Sequence, residues 1–216
     1  MKKTYLFDFD GTLVDSMPTF VSVMLRILDE RGIKYGDDIV KIITPLGYAG
    51  TAEYFRTLGA RESAGELIEI MNSYARHEYE NNIPAKASVI ETLGKMREEG
   101  HSLNVLTASP HIALDPCLKR LGIWENFDNV WSCDDFSTTK ADPEIYKMAA
   151  KKMGVEVGDV IFVDDNINAV KTAKAAGAVS VGIFDESSAE YMDEFKAVAS
   201  GYVMDLPELY EKFTKK

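Results

Sequence analysis

The sequence predicts an α/β fold, a doubly wound parallel sheet interrupted by an all-helical insertion, and three observations support this prediction. Short apolar runs of strand length alternate with amphipathic helical segments from residue 88 to residue 183, as parallel strands and crossover helices do. A similar apolar run stands near the amino terminus. Between the two lies a long stretch with helical periodicity only. We therefore expect the first run to join the sheet and the helical stretch to be inserted after it.

The chain begins with a predicted buried strand that ends at two acidic residues. The apolar run from Tyr5 stops at Asp8 and Asp10, and Gly11 then permits a sharp exit from the strand. Residues two apart in a strand point to the same side, so the two carboxylates repel each other unless a cation lies between them. Taken alone, the two acids fit equally well a solvated turn with a helix N-cap.

The stretch of residues 16–83 is the predicted helical insertion, and residues 1–15 and 84–216 form the predicted core domain. Prolines in first turns, apolar stripes and glycine stops indicate where its helices begin and end. The predicted helices lie near residues 18–31, 37–43, 51–58 and 63–80, with a loop at the PLGYAG sequence of residues 45–50.

From Ser88 onward, predicted helices and strands alternate. Ser88 and Glu91 have the spacing of a capping box, so we expect a helix that begins there and ends at Gly100. Further helices are predicted at residues 114–121, after the pair Asp142–Pro143, at residues 166–176 and twice in the tail. The predicted strands are residues 103–106, 130–132, 160–163 and 179–183.

Composition and charge describe an ordinary globular protein and argue against two classes of partner. The 216 residues are 46% hydrophobic and 27% charged, with a formal net charge of -11. Nucleic acids and anionic membranes are bound through basic patches, so we expect neither partner. The apolar run that ends at Asp8 is too short for a signal peptide, and we expect a cytoplasmic protein. Cys117 and Cys133 lack metal-site spacing and are expected to be reduced and packed.

Polar residues follow several predicted strands, at the edge where doubly wound sheets bind ligands. Thr107 follows the second strand, Asp164 and Asp165 follow the fourth, and Lys140 lies on an adjoining loop. Each residue alone has an ordinary explanation, as a turn residue or a solvent-facing lysine. Together with the acids of the first strand, they predict a site for a phosphoryl group.

The residue types of this predicted site fit phosphoryl transfer. Asp8 would attack phosphorus and form an aspartyl phosphate, while Asp10 would protonate the leaving oxygen and later activate water. Mg²⁺ prefers oxygen ligands, which Asp8, the main-chain carbonyl of Asp10 and Asp165 can supply. The groups expected to hold the phosphoryl oxygens are the Lys140 ammonium, the Thr107 hydroxyl and the Ala108 amide.

Four segments resemble, in order and with suitable spacing, the four motifs of the haloacid dehalogenase-like phosphohydrolases. They are DFDGTLVDS at residues 8–16, LTAS at 106–109, KADPEIY at 140–146 and VDDN at 163–166. The resemblance covers the whole chain. Ala141 departs from the commoner proline after the motif lysine and removes no functional group.

The resemblance implies a Rossmann-like core with residues 16–83 as a mobile cap, as in phosphoglycolate phosphatase-like and β-phosphoglucomutase-like members. It implies that Asp8 is the nucleophile, Asp10 the general acid and base, and Asp165 a metal ligand supported by Asp164. Dehalogenases of the superfamily lack an acid at the position of Asp10, because a halide leaving group needs no proton. The expected function is therefore that of a Mg²⁺-dependent phosphatase, phosphoglycolate phosphatase-like, acting on a small phosphorylated metabolite.

Two alternatives stay open at this point. A β-phosphoglucomutase-like sugar phosphomutase would share the four motifs. A receiver module of two-component signalling also gathers acids, a hydroxyl residue and a lysine around Mg²⁺, but its adjacent acid pair follows its first strand, whereas here that pair comes late. The sequence names neither the substrate nor the oligomeric state. We expect the cap to select the substrate, with Gly47, Gly50 and Arg56 as candidate contacts.

Overall fold

Six strands of the described residues, 2–215, form one parallel sheet in the computed structural model. They are β1 Thr4–Phe7, β2 Ser102–Thr107, β3 Asn129–Ser132, β4 Val160–Asp164, β5 Val179–Ile183 and β6 Gly201–Val203. Their order across the sheet is β3-β2-β1-β4-β5-β6, and every neighbouring pair is parallel. The order reverses between β1 and β4, which defines a doubly wound sheet and confirms the predicted fold class.

The helices connect these strands and also fill the insertion. In chain order they are α1 Met17–Glu30, α2 Ile39–Ile43, α3 Gly47–Thr57, α4 Ala64–Asn81, α5 Val89–Glu98, α6 His111–Arg120, α7 Glu144–Met153, α8 Ile167–Ala176, α9 Met192–Val198 and α10 Leu206–Phe213. The chain divides into two compact units, one of Met1–Asp15 with Pro84–Lys216 and the other of Ser16–Ile83. Among the described residues, no helix combines the length and the apolar character needed to cross a bilayer.

The sheet unit has a core on both faces of its central strand. Tyr5, Leu6 and Phe7 are consecutive in β1 and all have no exposed surface, and since successive side chains point to opposite faces, both faces are covered. Leu6 packs with Phe162 of β4 in an apolar cluster of this unit. Burying each such side chain stabilises the fold by about 1.5–3 kcal/mol.

Strand β6 was not predicted from the sequence, which indicated only helices in the tail. Its three residues are too few for a recognisable alternation of apolar and polar side chains. They form a strand because they pair with β5, where Val181 lies opposite Gly201. Gly201 is required there because a Cβ atom would lie 2.6 Å from the ring of Phe213 in α10. The strand is thus defined by its neighbours and not by its own residues.

The inserted unit, Ser16–Ile83, contains α1 to α4 around its own apolar core. Met24, Phe55 and Leu67, from three of these helices, have no exposed surface and belong to one cluster. A capping box starts α4, where Ser63 N donates to Glu66 Oε2 at 2.8 Å and Glu66 N donates to Ser63 Oγ at 3.3 Å. The insertion therefore has an apolar core and a helix cap that are formed by its own residues.

The loop predicted at residues 45–50 is wrong in part. A 3₁₀ turn ends at Leu46, and α3 begins at Gly47 and includes Gly50, whereas the sequence indicated a start at residue 51. Each glycine costs a helix about 1 kcal/mol relative to alanine, which favoured the loop prediction. Burial of Thr51, Ala52 and Phe55 on one face of α3 outweighs that cost, and Gly47 absorbs the change of direction with a φ of 61°.

The capping box predicted at Ser88 is also absent. Ser88 precedes α5 in the left-handed region, with φ 61°, and its side chain makes no capping hydrogen bond. Its main-chain carbonyl still accepts the first helical bond, from Thr92 N at 3.0 Å. The backbone direction imposed by the preceding residues therefore determines this helix start, against the local preference of serine.

Candidate active site

The carboxyl ends of three neighbouring strands bring the predicted acids and threonine to one edge of the sheet. β1 lies between β2 and β4. Asp8 follows β1, and its N–H donates to Val163 O at 2.9 Å, so its backbone still follows the sheet. Thr107 ends β2, and Asp164 ends β4 with Asp165 directly after it. The expected gathering of these residues at the strand ends is observed.

Lys140 connects two of the acids. Its Nζ donates to Asp8 Oδ1 at 2.6 Å and to Asp164 Oδ2 at 2.8 Å. Burial alone would lower the pKa of Lys140, but the charges of Asp164 and Asp8 raise it well above its ordinary value, so the ammonium stays protonated. The Tyr146 hydroxyl donates to Lys140 O at 2.9 Å and thereby anchors the segment that carries the lysine.

Asp8, Asp164 and Asp165 form a buried acidic cluster in which one oxygen of each lies within 4.8 Å of the others. Burial, followed by the charge of Asp164, raises the pKa of Asp8 to about 7 in spite of Lys140. The same two causes raise the pKa of Asp165 well above its ordinary value. The raised pKa values show that the protein alone compensates these charges poorly. A divalent cation with oxygen ligands fits the cluster, and the expected Mg²⁺ is of that kind.

The adjacent acids of the cluster differ in their partners. Asp164 Oδ2 accepts from Lys140, and its Oδ1 accepts from Asn166 N at 2.7 Å, so both oxygens have protein donors. Asp165 Oδ1 accepts from Thr12 Oγ1 at 3.1 Å. A carboxylate with two protein donors supports its neighbours more readily than it binds an ion. This difference favours Asp165 as the metal ligand and Asp164 as the supporting acid.

Asp10 lies beside the cluster and is more exposed than Asp8. The Ser109 hydroxyl donates to Asp10 Oδ2 at 2.5 Å, and Ser109 N donates to Thr107 Oγ1 at 3.1 Å. Thr107 is buried and Ala108 is exposed, so the chain emerges from the sheet between them. Ser109 thus holds both the predicted acid and the predicted phosphate-binding hydroxyl.

Two of these contacting residues, Ser109 and Thr12, were missed by the sequence reasoning. The sequence analysis included Ser109 only as part of the second motif and Thr12 only as part of the first motif. Their partners lie 99 and 153 residues away in sequence, and no local pattern records such contacts. A usable signal was their position, since both follow strand ends that already carried predicted site residues.

The candidate cap residues lie in the inserted unit. Gly47 begins α3 and Gly50 lies in its first turns, so neither belongs to the loop predicted there. The exposed Arg56 donates to Glu53 at 3.2 Å on the same helix. Their role as substrate contacts stays a prediction.

His111 and the two cysteines have structural explanations. His111 begins α6, three residues before the predicted start of that helix, and its ring nitrogens lie 2.7 Å from Asp115 Oδ1 and 2.8 Å from Asp135 Oδ2. The hydrogen bond to Asp115 raises the pKa of His111, with Asp135 contributing in the same direction. Cys117 and Cys133 are free and buried, and burial raises the pKa of the Cys117 thiol to about 11.

The parallel doubly wound sheet carries this acidic cluster at its switch point, and comparison with known proteins identifies the family. The family model of the haloacid dehalogenase-like hydrolases matches residues 2–177. The chain belongs to this family. The match confirms the resemblance found in the four motifs and the prediction of a hydrolytic enzyme.

Individual relatives show what this chain is similar to. It is 29% identical to the pyrophosphatase PpaX of Bacillus velezensis over 180 residues, covering 82% of this chain and 81% of the relative. It is 28% identical to a phosphoglycolate phosphatase of Neisseria meningitidis over 221 residues, covering 95% and 91%. These relatives support the predicted phosphatase class.

A solved structure supports the fold. The structure assigned as a beta-phosphoglucomutase from Thermotoga maritima superposes with a TM-score of 0.84 over 100% of this chain and 99% of that one. The two sequences are 21% identical, so the likeness concerns the fold alone.

Proposed function

We propose that this chain is a Mg²⁺-dependent phosphatase that hydrolyses a small phosphorylated metabolite through an aspartyl phosphate. The observation that carries the proposal is the bridge of Lys140 between Asp8 and Asp164 inside a buried acidic cluster. A lysine fixed in this way holds a nucleophilic carboxylate in place and offers positive charge to a phosphoryl group. The phosphatases among the relatives support the same class of reaction.

The first half-reaction assigns distinct work to two acids. An oxygen of Asp8 attacks phosphorus, the bond from phosphorus to the ester oxygen breaks, and that oxygen takes a proton from Asp10. Asp10 suits this role because it is accessible beside the cluster and its carboxyl is oriented by Ser109. Positioned acid–base catalysis of this kind typically contributes about 10²–10⁴-fold.

The second half-reaction regenerates the enzyme. Asp10 removes a proton from water, the water oxygen attacks phosphorus, and the bond between phosphorus and Asp8 breaks to release phosphate. Lys140, Thr107 and the Ala108 amide hold phosphoryl oxygens through both steps, as proposed from the sequence. When bound, Mg²⁺ would neutralise phosphoryl charge, and its ligands would be Asp8, Asp165 and the main-chain carbonyl of Asp10.

The inserted unit is proposed as the cap that selects the substrate. Its independent apolar core supports a rigid-body role. Its two connections are hydrogen-bonded to each other where they leave the sheet unit. Asp15 N donates to Pro84 O at 3.0 Å, and Val14 forms an isolated antiparallel β-bridge with Ala85. A cap that closes over substrate would exclude phosphoproteins and protect the aspartyl phosphate from side reactions.

Phosphate release is the direct test. Purified protein should release phosphate repeatedly from p-nitrophenyl phosphate and from at least one compound in a panel of phosphorylated metabolites. Activity should disappear in excess chelator and return with Mg²⁺. The Asp8→Asn variant should keep less than about one hundredth of kcat, while Asp159→Asn, which changes an exposed acid of the same unit, should keep full activity.

The outcomes separate the candidate functions. Full activity of Asp8→Asn, or full activity after confirmed metal removal, would refute the mechanism. An isomeric sugar phosphate as the main product, with little free phosphate, would identify the phosphomutase alternative. The relatives favour the phosphatase, because the two described above are named for hydrolysis of a pyrophosphate and of phosphoglycolate.

A further inference from the structure

Lys86 is held more tightly than is usual for a lysine in a connecting segment. Its Nζ donates to Gly11 O at 2.7 Å, to Phe184 O at 2.7 Å and to Asp185 Oδ2 at 3.0 Å. An ammonium has three N–H donors, so these three acceptors satisfy it completely. The side chain is 22% exposed and that of Asp185 is 6% exposed.

Asp185 is fixed independently of the lysine. Its Oδ1 accepts from Ser187 N at 2.9 Å and from Ser187 Oγ at 2.5 Å, which places the carboxylate at the start of the 3₁₀ turn Glu186–Tyr191. Burial alone would raise the pKa of Asp185, but the hydrogen bonds from Ser187 and Lys86 lower it. Lys86 is therefore attached to a rigid point after β5.

Gly11, whose carbonyl accepts from Lys86, packs against the Asp165 carboxylate. Gly11 has a φ of 73°, and a Cβ atom built on it would lie 2.4 Å from Asp165 Oδ2. The next residue, Thr12, donates to Asp165 Oδ1 at 3.1 Å. The Gly11–Thr12 turn thus contacts the Asp165 carboxylate through the main chain of Gly11 and the hydroxyl of Thr12.

The main chain around Lys86 reinforces the same turn. Lys86 N donates to Leu13 O at 3.0 Å, and Asp15 N donates to Pro84 O at 3.0 Å. The segment that returns from the insertion therefore runs along the end of the first motif. Its lysine side chain then reaches back to the carbonyl of Gly11.

We propose that Lys86 is a positioning residue that, together with Asp185, holds the Gly11–Thr12 turn and thereby keeps the Asp165 carboxylate in place to bind a divalent cation. The inference rests on the proposed function for the role of Asp165 as a metal ligand. Lys86 does not touch substrate in this role, and its effect reaches the site through the turn. Residues that orient metal ligands typically contribute about 10–100-fold to metal affinity or activity.

Metal affinity of the free protein tests the inference without substrate. Titration calorimetry should give a Mg²⁺ Kd about 10–100-fold higher for Lys86→Met than for wild type. Asp185→Asn should shift the Kd in the same direction. Lys3→Met is the matched control, because Lys3 Nζ also donates to a main-chain carbonyl of the sheet unit, that of Phe213, outside the proposed site. Its Kd should equal that of wild type.

A second readout distinguishes positioning from general damage. Turnover of p-nitrophenyl phosphate by Lys86→Met should recover substantially at saturating Mg²⁺, because the loss lies in occupancy of the metal site. A folding defect would instead lower kcat at every Mg²⁺ concentration. Should Lys86→Met not fold, Asp185→Asn decides the question by its Kd.

Four results would overturn or separate the claims. Wild-type Mg²⁺ affinity in both single variants, Lys86→Met and Asp185→Asn, would overturn the inference. A kcat deficit of Lys86→Met that saturating Mg²⁺ leaves unchanged would also overturn it. Wild-type protein that binds Mg²⁺ but turns over no phosphate ester would refute the proposed function and leave the positioning role standing. Wild-type protein that binds no Mg²⁺ would overturn both.

Discussion

Removal of Lys140 should destabilise the metal-free protein far more than removal of an ordinary lysine. In Lys140→Met, Asp8 and Asp164 lose a charge partner at 2.6 and 2.8 Å, and their side chains are 6% and 0% exposed. Breaking a buried ion pair by deleting one partner typically costs about 3–5 kcal/mol. Because a domain of this kind has only about 5–15 kcal/mol of stability, the loss is a large fraction of it.

Urea unfolding in excess chelator at neutral pH measures this cost. Lys147→Met is the matched control, since Lys147 pairs with Glu144 at 2.6 Å while both side chains are about half exposed or more. The control should lose no more than about 1 kcal/mol, as exposed pairs do. The deficit of Lys140→Met should shrink in saturating Mg²⁺, because a bound divalent cation supplies charge that the lysine no longer provides.

The reasoning fails if the two variants unfold alike. A loss below about 1 kcal/mol for Lys140→Met in chelator would mean that the acids lose little when the lysine is removed. A loss of unfolding free energy of equal size with and without Mg²⁺ would show that the ion does not compensate for the missing lysine. Either result would contradict the charge balance inferred for the acidic cluster.

The remaining predictions concern catalysis, pH, the turn and the cap. Asp10→Asn should slow single-turnover phosphorylation more for alkyl than for aryl esters, which need less protonation; equal losses would contradict its role. The pKa of Asp8, raised to about 7 by burial and then by Asp164, lies above its unfolded value of about 3.8. The folded state therefore holds this proton more strongly, and the unfolding free energy of metal-free wild type, relative to Asp8→Asn, should fall as pH rises from about 4 to about 7. A relative free energy that rises over this range would refute the assignment. Gly11→Ala should weaken Mg²⁺ binding in calorimetry, because its Cβ would overlap the Asp165 carboxylate, and unchanged affinity would contradict that geometry. Arg56→Ala should raise KM for the metabolite and spare p-nitrophenyl phosphate; proportional losses on both would argue against a cap contact.

The sheet and the gathering of acids could be predicted because both follow from patterns that span short stretches. An apolar run that stops at Asp8 and another that stops at Asp164 indicate two buried strands, and parallel strands place such ends at one edge. Lys140 could be included because the predicted elements place it on a loop that adjoins that edge. Only its contacts with both acids required the structure.

What could not be predicted depends on residues far apart in sequence. Lys86 reaches Gly11 across 75 residues and Asp185 across 99, and neither contact has a local signature. The start of α5 at Ser88 is a local example of the same limit, since its capping pattern was favourable but the backbone arrives in the left-handed region. The direction of the backbone outweighed the local preference of serine there, as burial of one helix face outweighed the cost of glycine at the start of α3.

The arrangement of hydrogen bonds indicates how one edge of a sheet holds acids with different tasks. Lys140 binds Oδ1 of Asp8 and Thr12 binds Oδ1 of Asp165, so among these contacts Oδ2 of each acid is left for a ligand. Asp164 uses both oxygens within the protein and therefore fixes the lysine. A nucleophile and a metal ligand each need an oxygen that the fold does not consume, whereas a supporting acid does not. The number of protein donors thus separates Asp164, the proposed supporting acid, from Asp8 and Asp165, the proposed nucleophile and metal ligand.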